Sequence, residues 1–394
     1  MRFIQKNVFR TQTSICLTLF NLNKFFYSLL KNYFCILVIQ IMARFHTLKV
    51  KDIKRETTDS VSVAFDVPPQ QQPEYQFKQG QYITLKLKLN GEEIRRSYSL
   101  CSSPYDKELR VAIKEVNGGK VSTFINRELK VGDNLEVMTP MGSFHTILSG
   151  VNKKHYVLLA GGSGITPMMS ILKSILYVEK QSSISLFYAN KNEESTIFKS
   201  ELDSISNQFP ALKIIYIFDQ PQSEISALQT GIITKDKALA LIENFGSVSA
   251  DEYFICGPGA MMENIKSTLD SLKISKEKIH IEYFSSVIEA IESDEKKFSG
   301  NVNASIKVLQ YGIETVFNLK TSGISILDAS IEAGVDAPFS CKGAVCCTCR
   351  AKVIEGKVRM DANFALTDAE VDEGFILTCQ SHPLSEKVVI DYDA

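Results

Sequence analysis

The chain has 394 residues, 44 basic and 45 acidic, with 44% apolar side chains. That length exceeds what one hydrophobic core usually serves and implies two or three domains, while the balanced charge excludes the strongly basic signature of a nucleic-acid binder. Nine cysteines are an odd number; only Cys16, Cys35, Cys101 and Cys256 lie outside a C-terminal group, so the pattern is not a secreted disulfide framework and suits a cytoplasmic protein that keeps its thiols for chemistry.

Residues 1–41 stand apart, with Arg2, Lys6, Arg10, Lys24 and Lys31 and no acidic residue among Phe, Leu, Ile and Tyr. The basic region is long for a secretory signal and no small-residue cleavage site follows. Phe25 to Met42 falls short of the roughly 20 apolar residues a membrane anchor needs and is broken by Lys31 and Asn32. The composition becomes evenly mixed at Met42, and the expectation is that native translation starts there.

From residue 45 to about 148, short alternating runs such as "SVSVAF", "QYITLKLKL" and "ELRVAIKEV" are separated by Pro, Gly and Asn turns, which predicts a small β-barrel. In "RRSYSLCSSP", Arg96 and Tyr98 share one face of a strand, with Ser99 beside them. A guanidinium that holds phosphate and a phenol ring that stacks on a flat heterocycle together suit a flavin nucleotide. "NGGKVST" follows as a second glycine turn, whose amides and the Ser122 or Thr123 hydroxyls would complete a phosphate cradle.

From His155 to about Phe284 the pattern changes to apolar strands, "YVLLA", "SISLFYA", "LKIIYIF", "EYFICG" and "IHIEYF", alternating with helical stretches. Met168, Ile171, Leu172, Ile175 and Leu176 recur at helical spacing after the first strand, so strand, turn and helix follow in order and a parallel α/β sheet is predicted. Gly162, Ser163, Gly164, Ile165, Thr166 and Pro167 form the intervening turn, where glycines admit a pyrophosphate close to backbone N–H groups at a helix N-terminus. Pro167 stands where the usual dinucleotide fingerprint has its third glycine, so a standard Rossmann dehydrogenase is not indicated. After the second strand, Lys191 would suit a 2′-phosphate and Glu193 or Glu194 the ribose hydroxyls of NAD.

Residues 286–301 mix charge, Ser and Gly without apolar periodicity and read as a linker. A strand-rich unit then carries "SCKGAVCCTC". Cys341, Cys346 and Cys349 follow the spacing C-x4-C-x2-C, with Cys379 further on, the plant-type ligand pattern for a 2Fe-2S cluster. Structural zinc also takes four thiolates but usually presents them as two separated close pairs. Gly343 and Ala344 are small enough for the loop to curl round the inorganic sulfides. Cys347 is left without an iron. His46, His145, His155, His280 and His382 are scattered and form no di-iron grouping.

Taken in this order, "RRSYSLCSSP", "GSGITPM", "FICGPGAMM" and "CKGAVCCTC" resemble the ferredoxin-NADP reductase superfamily fused to a C-terminal plant-type ferredoxin, and within it the reductases that serve ring-1,2-phenylacetyl-CoA epoxidases in phenylacetate catabolism. The resemblance implies a multidomain chain: an FAD-binding β-barrel at 42–149, an α/β parallel-sheet nicotinamide-binding domain at 150–285, the linker at 286–301, and a β-grasp ferredoxin domain at 302–394. It assigns Arg96, Tyr98, Ser99, Gly119 and Ser122 to FAD, with Ser99 near the reacting flavin nitrogen. Gly162, Gly164, Thr166, Pro167 and Lys191 fall to the nucleotide, and Cys256, Gly257 and Pro258 sit beside the nicotinamide, Ser99 and Cys256 being the catalytic pair. Glu282 and Phe284 approach the flavin from the other side. Electrons would run from NADPH, with NADH as the alternative, through FAD and 2Fe-2S to separate oxygenase subunits. No nucleic-acid or membrane partner is implied. The reductase of another aromatic-ring oxygenase shares these motifs; a non-catalytic redox sensor or carrier scaffold would show a degenerate flavin or nucleotide site.

Overall fold

The computed structural model describes residues 44–284 and 302–394; the expected N-terminal extension and the linker fall outside the described residues. Six strands form the first sheet: β1 (Phe45–Thr57), β2 (Ser60–Asp66), β3 (Tyr82–Leu89), β4 (Glu92–Ser99), β5 (Leu109–Lys114) and β6 (Asn134–Met138), in the order β4-β3-β6-β1-β2-β5. Every pairing is antiparallel, and the sheet closes where Leu100 bridges Val111 and the Cys101 N–H donates to Arg110 O at 2.9 Å. Alternation explains the barrel: Val61, Val63 and Phe65 of β2 enter the core with Ile83, Leu85 and Val137. The intervening Ser62 is covered by Arg110, which donates to its hydroxyl at 2.9 Å. Helix α1 (Lys120–Arg127) adds Val121 and Ile125 to the same core.

The second sheet holds β7 (His155–Gly161), β8 (Ser183–Asn190), β9 (Leu212–Phe218), β10 (Glu252–Cys256) and β11 (Ile279–Glu282), in the order β11-β10-β7-β8-β9. All its pairings are parallel, as expected of strands apolar on both faces. Helix α2 (Ile165–Val178) covers one face through Met168, Ile171, Leu172 and Ile175. The remaining helices of this part are α3 (Lys199–Gln208), α4 (Lys235–Asn244) and α5 (Gly259–Ser271); Leu241, Met262, Ile265 and Leu269 of α4 and α5 cover the other face. The strand order reverses at β7, which lies between β8 and β10, so the carboxyl ends of β7 and β10 form the switch-point crevice where open α/β sheets bind ligands.

The last part is a mixed sheet, β13-β12-β18-β14-β16, built from β12 (Asn303–Gln310), β13 (Ile313–Lys320), β14 (Arg350–Glu355), β16 (Phe375–Leu377) and β18 (Lys387–Asp391). A ribbon of β15 (Val358–Met360) and β17 (Ser381–Pro383) flanks it. Strands β12 and β18 run parallel, and α6 (Ile326–Glu332) packs Ile326 and Leu327 into the core, a β-grasp arrangement.

The barrel and the parallel sheet are joined through α2. Ser170 donates to Ser102 O at 2.6 Å, Ser103 and Ser174 share a hydrogen bond of 3.0 Å, and Phe144 meets Phe254 edge-on at 5.3 Å. Gly80 lies in this join with φ +82°, and a Cβ there would fall 1.9 Å from Phe144 O. Gly80→Ala is therefore expected to cost about 2–3 kcal/mol through a forbidden backbone conformation and overpacking, measurable as a lowered midpoint of urea unfolding with an unchanged slope.

Candidate functional site

A cavity of about 640 Å³ opens where the three sheets meet. Its wall includes Arg96, Tyr98 and Ser99 from β4, Gly119 and Ser122 at the start of α1, Ser163 and Thr166 from the turn after β7, Glu282, and the sulfur-bearing Cys341 and Cys346. The β3–β4 register sets Leu85 opposite Arg96 and Ile83 opposite Tyr98, so both side chains leave the strand on one face, as the spacing predicts.

The turn "NGGKVST" opens a helix, where the sequence alone shows only a glycine turn. Gly119 is the residue before α1, and no side chain caps that helix; its first N–H groups are the unpaired donors that attract phosphate. Gly118 has φ +73° and open space where a Cβ would stand. The Ser122 hydroxyl is already engaged, accepting from Val116 N–H at 3.1 Å and donating to Gly119 O at 3.2 Å. It shapes the turn, leaving the backbone amides as donors.

The turn after β7 separates two roles that look alike in sequence. Gly162 has φ +52° and nothing within 4 Å of a built Cβ, an open cradle beside a helix start. A Cβ on Gly164, in contrast, would stand 2.1 Å from Cys256 O, so this glycine exists to let the β7 and β10 turns touch. Gly257 completes that contact, where a Cβ would fall 2.9 Å from Gly161 N. Thr166 donates to Ser163 O at 3.1 Å, Pro167 lies in the first turn of α2, and Pro258 precedes α5. Of these residues only Ser163 and Thr166 reach the cavity wall; Lys191 is exposed beyond β8.

Ser99 donates to Glu282 Oε2 at 3.0 Å, joining the barrel to the last strand of the parallel sheet. Glu282 ends β11, with Cys256 as its register partner on β10. Burial pushes the Glu282 carboxyl up to about 8 against a smaller lowering by the Ser99 hydrogen bond, so it holds its proton at neutral pH. Cys256 is fully buried and its thiol is pushed up by desolvation, then by Glu282. It is absent from the cavity wall, unlike Ser99 and Phe284.

The four spaced cysteines fall into two pairs. Cys341 Sγ accepts the Gly343 N–H at 3.3 Å, and the neighbouring Cys346 thiol with the surrounding amides draws the Cys341 thiol down to about 6. Cys379 is drawn down likewise, chiefly by Cys349 beside it. Among the described residues no three His, Cys, Asp or Glu side chains gather so as to hold one metal ion. Two thiolate pairs fit a two-iron cluster, and a single tetrahedral zinc would need all four together. The loop curls through Lys342 at φ +51° and Ala344 at φ +64°, so the left-handed positions flank Gly343 and do not include it. Cys347 Sγ donates to Ala365 O at 3.3 Å. Tyr82, which no motif marks, lines the cavity and hydrogen-bonds the cluster loop at Thr348.

A barrel with an anion cradle, a switch-point nucleotide turn and a paired-thiolate loop facing one cavity define a nicotinamide-dependent flavin and iron-sulfur oxidoreductase. Comparison with known proteins agrees: residues 47–146 match the oxidoreductase FAD-binding domain, 158–267 the oxidoreductase NAD-binding domain and 310–384 the 2Fe-2S iron-sulfur cluster binding domain. One component of the 1,2-phenylacetyl-CoA epoxidase from Escherichia coli (strain K12) is 38% identical over 360 residues, covering 90% of this chain and 99% of that protein. The ferredoxin reductase component of 3-ketosteroid-9-alpha-monooxygenase from Mycobacterium tuberculosis is 33% identical, covering 88% and 95%. Among solved structures, phthalate dioxygenase reductase shares the fold, with a TM-score of 0.54 at 24% identity over 88% of this chain and 98% of that one. The chain belongs to the family of FAD- and 2Fe-2S-containing reductase components of oxygenases.

Two outcomes follow from the site. The Glu282 carboxyl keeps its proton when folded and loses it near the ordinary 4.5 when unfolded, so stability should fall as pH rises from about 4.5 to about 8; Glu282→Gln should flatten that fall in urea titrations across the range. Cys346→Ser should abolish the visible absorption of the cluster, whereas Cys347→Ser should retain it in full.

Proposed function

We propose that this protein draws electrons from NADPH and delivers them singly to the oxygenase subunits of a phenylacetyl-CoA epoxidase-like complex in the cytoplasm. In this reading 42–149, 150–285 and 302–394 are the FAD, nucleotide and cluster domains. The observation that carries it is the single cavity bounded by Ser99 of the barrel, Thr166 of the nucleotide turn and Cys346 of the cluster loop. FAD and a 2Fe-2S cluster, when bound, supply the exchange between a hydride and single electrons.

The protein's part is placement. Arg96 offers a guanidinium to phosphate and the uncapped start of α1 offers amides to the same group. Tyr98 gives a ring face for a flat heterocycle. Ser99 and the protonated Glu282 hold a hydroxyl and a carboxyl proton at the cavity wall, where they would be available as hydrogen-bond donors to a bound flavin. Cys256, buried at the end of β10, fixes the floor on which Gly164 closes. Cys341 and Cys346 present one thiolate pair to the cavity, and Cys349 and Cys379 hold the other.

The choice of NADPH is supported by the occupation of one of the two competing acids, Glu193, Glu194 being exposed like Lys191. Glu193 accepts Gln222 N–H at 2.9 Å and so braces the loop after β9, while Lys191 remains exposed beside it. The epoxidase partner is supported by the identity to the Escherichia coli protein along nearly its whole length. Among the described residues no helix is long and apolar enough to cross a membrane.

The purified holoprotein should reduce cytochrome c with NADPH, with kcat/KM at least tenfold above that with NADH, and Lys191→Ala should narrow the gap. Loaded protein that shows no turnover would return the redox-sensor reading. Mixed with the oxygenase subunits of a phenylacetyl-CoA epoxidase, it should consume NADPH in proportion to added phenylacetyl-CoA; uncoupled consumption would point to another ring oxygenase.

A further inference from the structure

Strand β4 has two faces with different tasks. Arg96 and Tyr98 leave it on one, opposite Leu85 and Ile83 of the barrel core, and line the flavin cavity. Alternation sends Arg95 and Ser97 to the other face, where their register partners on β3 are Lys86 and Thr84. Ser97 also touches the flavin cavity. Arg95 is the surprising member: its side chain is only 11% exposed, and an arginine is seldom so covered unless something pairs with it.

What pairs with Arg95 comes from both sides of a domain boundary. Its guanidinium lies 5.1 Å from the centre of the Phe45 ring, at the start of β1 in the barrel, and 4.0 Å from the centre of the Phe339 ring, just ahead of Ser340 and Cys341 in the cluster domain. Glu93, on the same face of β4, accepts from Arg95 Nε at 3.0 Å and holds the fork in this orientation. Beside it Ser97 and Ser340 share a hydrogen bond of 2.7 Å, and Thr84 joins Ser97 at 3.2 Å. A hydroxyl pair fixes one point. A flat guanidinium laid against a ring fixes a plane, which a lysine ammonium does not, so Arg95 sets the orientation in which the cluster domain sits.

We infer that Arg95 is a positioning residue for flavin-to-cluster electron transfer: shared between Phe45 and Phe339, it seats the cluster domain on the face of β3 and β4 turned away from the barrel core. The distance between the two redox groups is thereby tied to the strand that presents Arg96 and Tyr98 to the flavin. Each transfer takes one electron from the reduced flavin and makes one ferric ion ferrous, with no bond made or broken, and it weakens steeply with separation. Arg95 acts on that separation alone; the arrival of hydride at the flavin does not depend on it. This rests on the proposed route from FAD to a 2Fe-2S cluster.

The test times two steps in the holoprotein. Stopped-flow mixing with NADPH follows hydride arrival as loss of flavin absorbance, and flash photoreduction of the flavin times the onward step to the cluster. Arg95→Ala, compared at equal flavin and iron content, should keep the wild-type rate of the first step and slow the second about two- to fivefold, the weight of one modest cation–π contact. Phe339→Leu should do the same from the other side of the boundary, and the double variant should be no slower than either single one. Lys86→Gln removes a cation 4.7 Å over the Phe45 ring from within the barrel and should change neither step. Fluorescence gives a readout independent of electron flow: the chain has no tryptophan, so Phe339→Trp places a single reporter in the stack. Adding Arg95→Ala to that variant should move its emission to the red and make it more readily quenched by acrylamide. Unchanged emission or an unchanged second step on loss of Arg95, additive single variants, or an equal slowing in Lys86→Gln would overturn the inference, as would slowed hydride arrival, which would make Arg95 part of the flavin site. A loaded wild-type protein whose cluster is never reduced from the flavin would instead overturn the route beneath it.

Discussion

One rung of the barrel ladder holds two of the molecule's junctions. Tyr82 and Ser99 face each other across β3 and β4. From that rung Ser99 reaches Glu282 of the parallel sheet at 3.0 Å, and Tyr82 reaches Thr348 of the cluster loop at 3.0 Å. Electron exchange demands short gaps between the redox groups, and an antiparallel rung is about the most rigid way to fix two side chains with respect to each other. The cavity therefore takes its shape from the barrel, with the nucleotide turn and the cysteine loop brought to it.

The electrostatics of the junction follow from burial. Glu282 has one strong partner, a neutral hydroxyl, and no cation close enough to hold its charge, so the carboxyl stays protonated. Glu252 lies at the opposite end of the same sheet and shows the contrast. It is half-buried too, yet it accepts from Lys154 at 2.6 Å, Thr146 at 3.0 Å and His280 at 3.2 Å, and these draw it down to about 2. Two glutamates on neighbouring strands are thus set to opposite protonation states by their partners. The charged one ties the barrel's exit segment to the sheet, and the neutral one is the kind of group that tolerates a hydride chemistry beside it.

What was legible in the sequence was what local chemistry dictates. The spacing of Cys341, Cys346, Cys349 and Cys379 is the one expected of iron ligands on one loop and the turn after β16, and the strand alternation that set Arg96 and Tyr98 on one face is a property of any strand. The glycine turn after β7 was legible as a turn, but its division of labour was not. Gly164 is required by Cys256 O, a neighbour brought alongside only by parallel pairing of β7 with β10. The opening of α1 within "NGGKVST" was hidden because glycine turns and uncapped helix starts share the same residues. Tyr82 gave no signal at all: its partner lies 266 positions away, and a tyrosine at the head of a strand is otherwise ordinary core.

The two junctions differ in what it costs to part them. Between barrel and parallel sheet lie the Phe144–Phe254 aromatic contact, the buried Ser170–Ser102 and Ser103–Ser174 bonds and the neutral Glu282; separation would expose apolar rings, which is expensive in water. Between barrel and cluster loop lie two hydroxyl pairs, Tyr82–Thr348 and Ser97–Ser340 at 2.7 Å, one guanidinium over a ring and a small apolar patch around Met138. Hydroxyls and guanidinium exchange such partners for water at little net cost, as at the polar interfaces between mobile domains. The barrel and the parallel sheet are thus joined through buried apolar surface, while the cluster loop meets the barrel largely through hydroxyls and a guanidinium, with Tyr283 after β11 adding a ring contact to Phe364 at 5.6 Å.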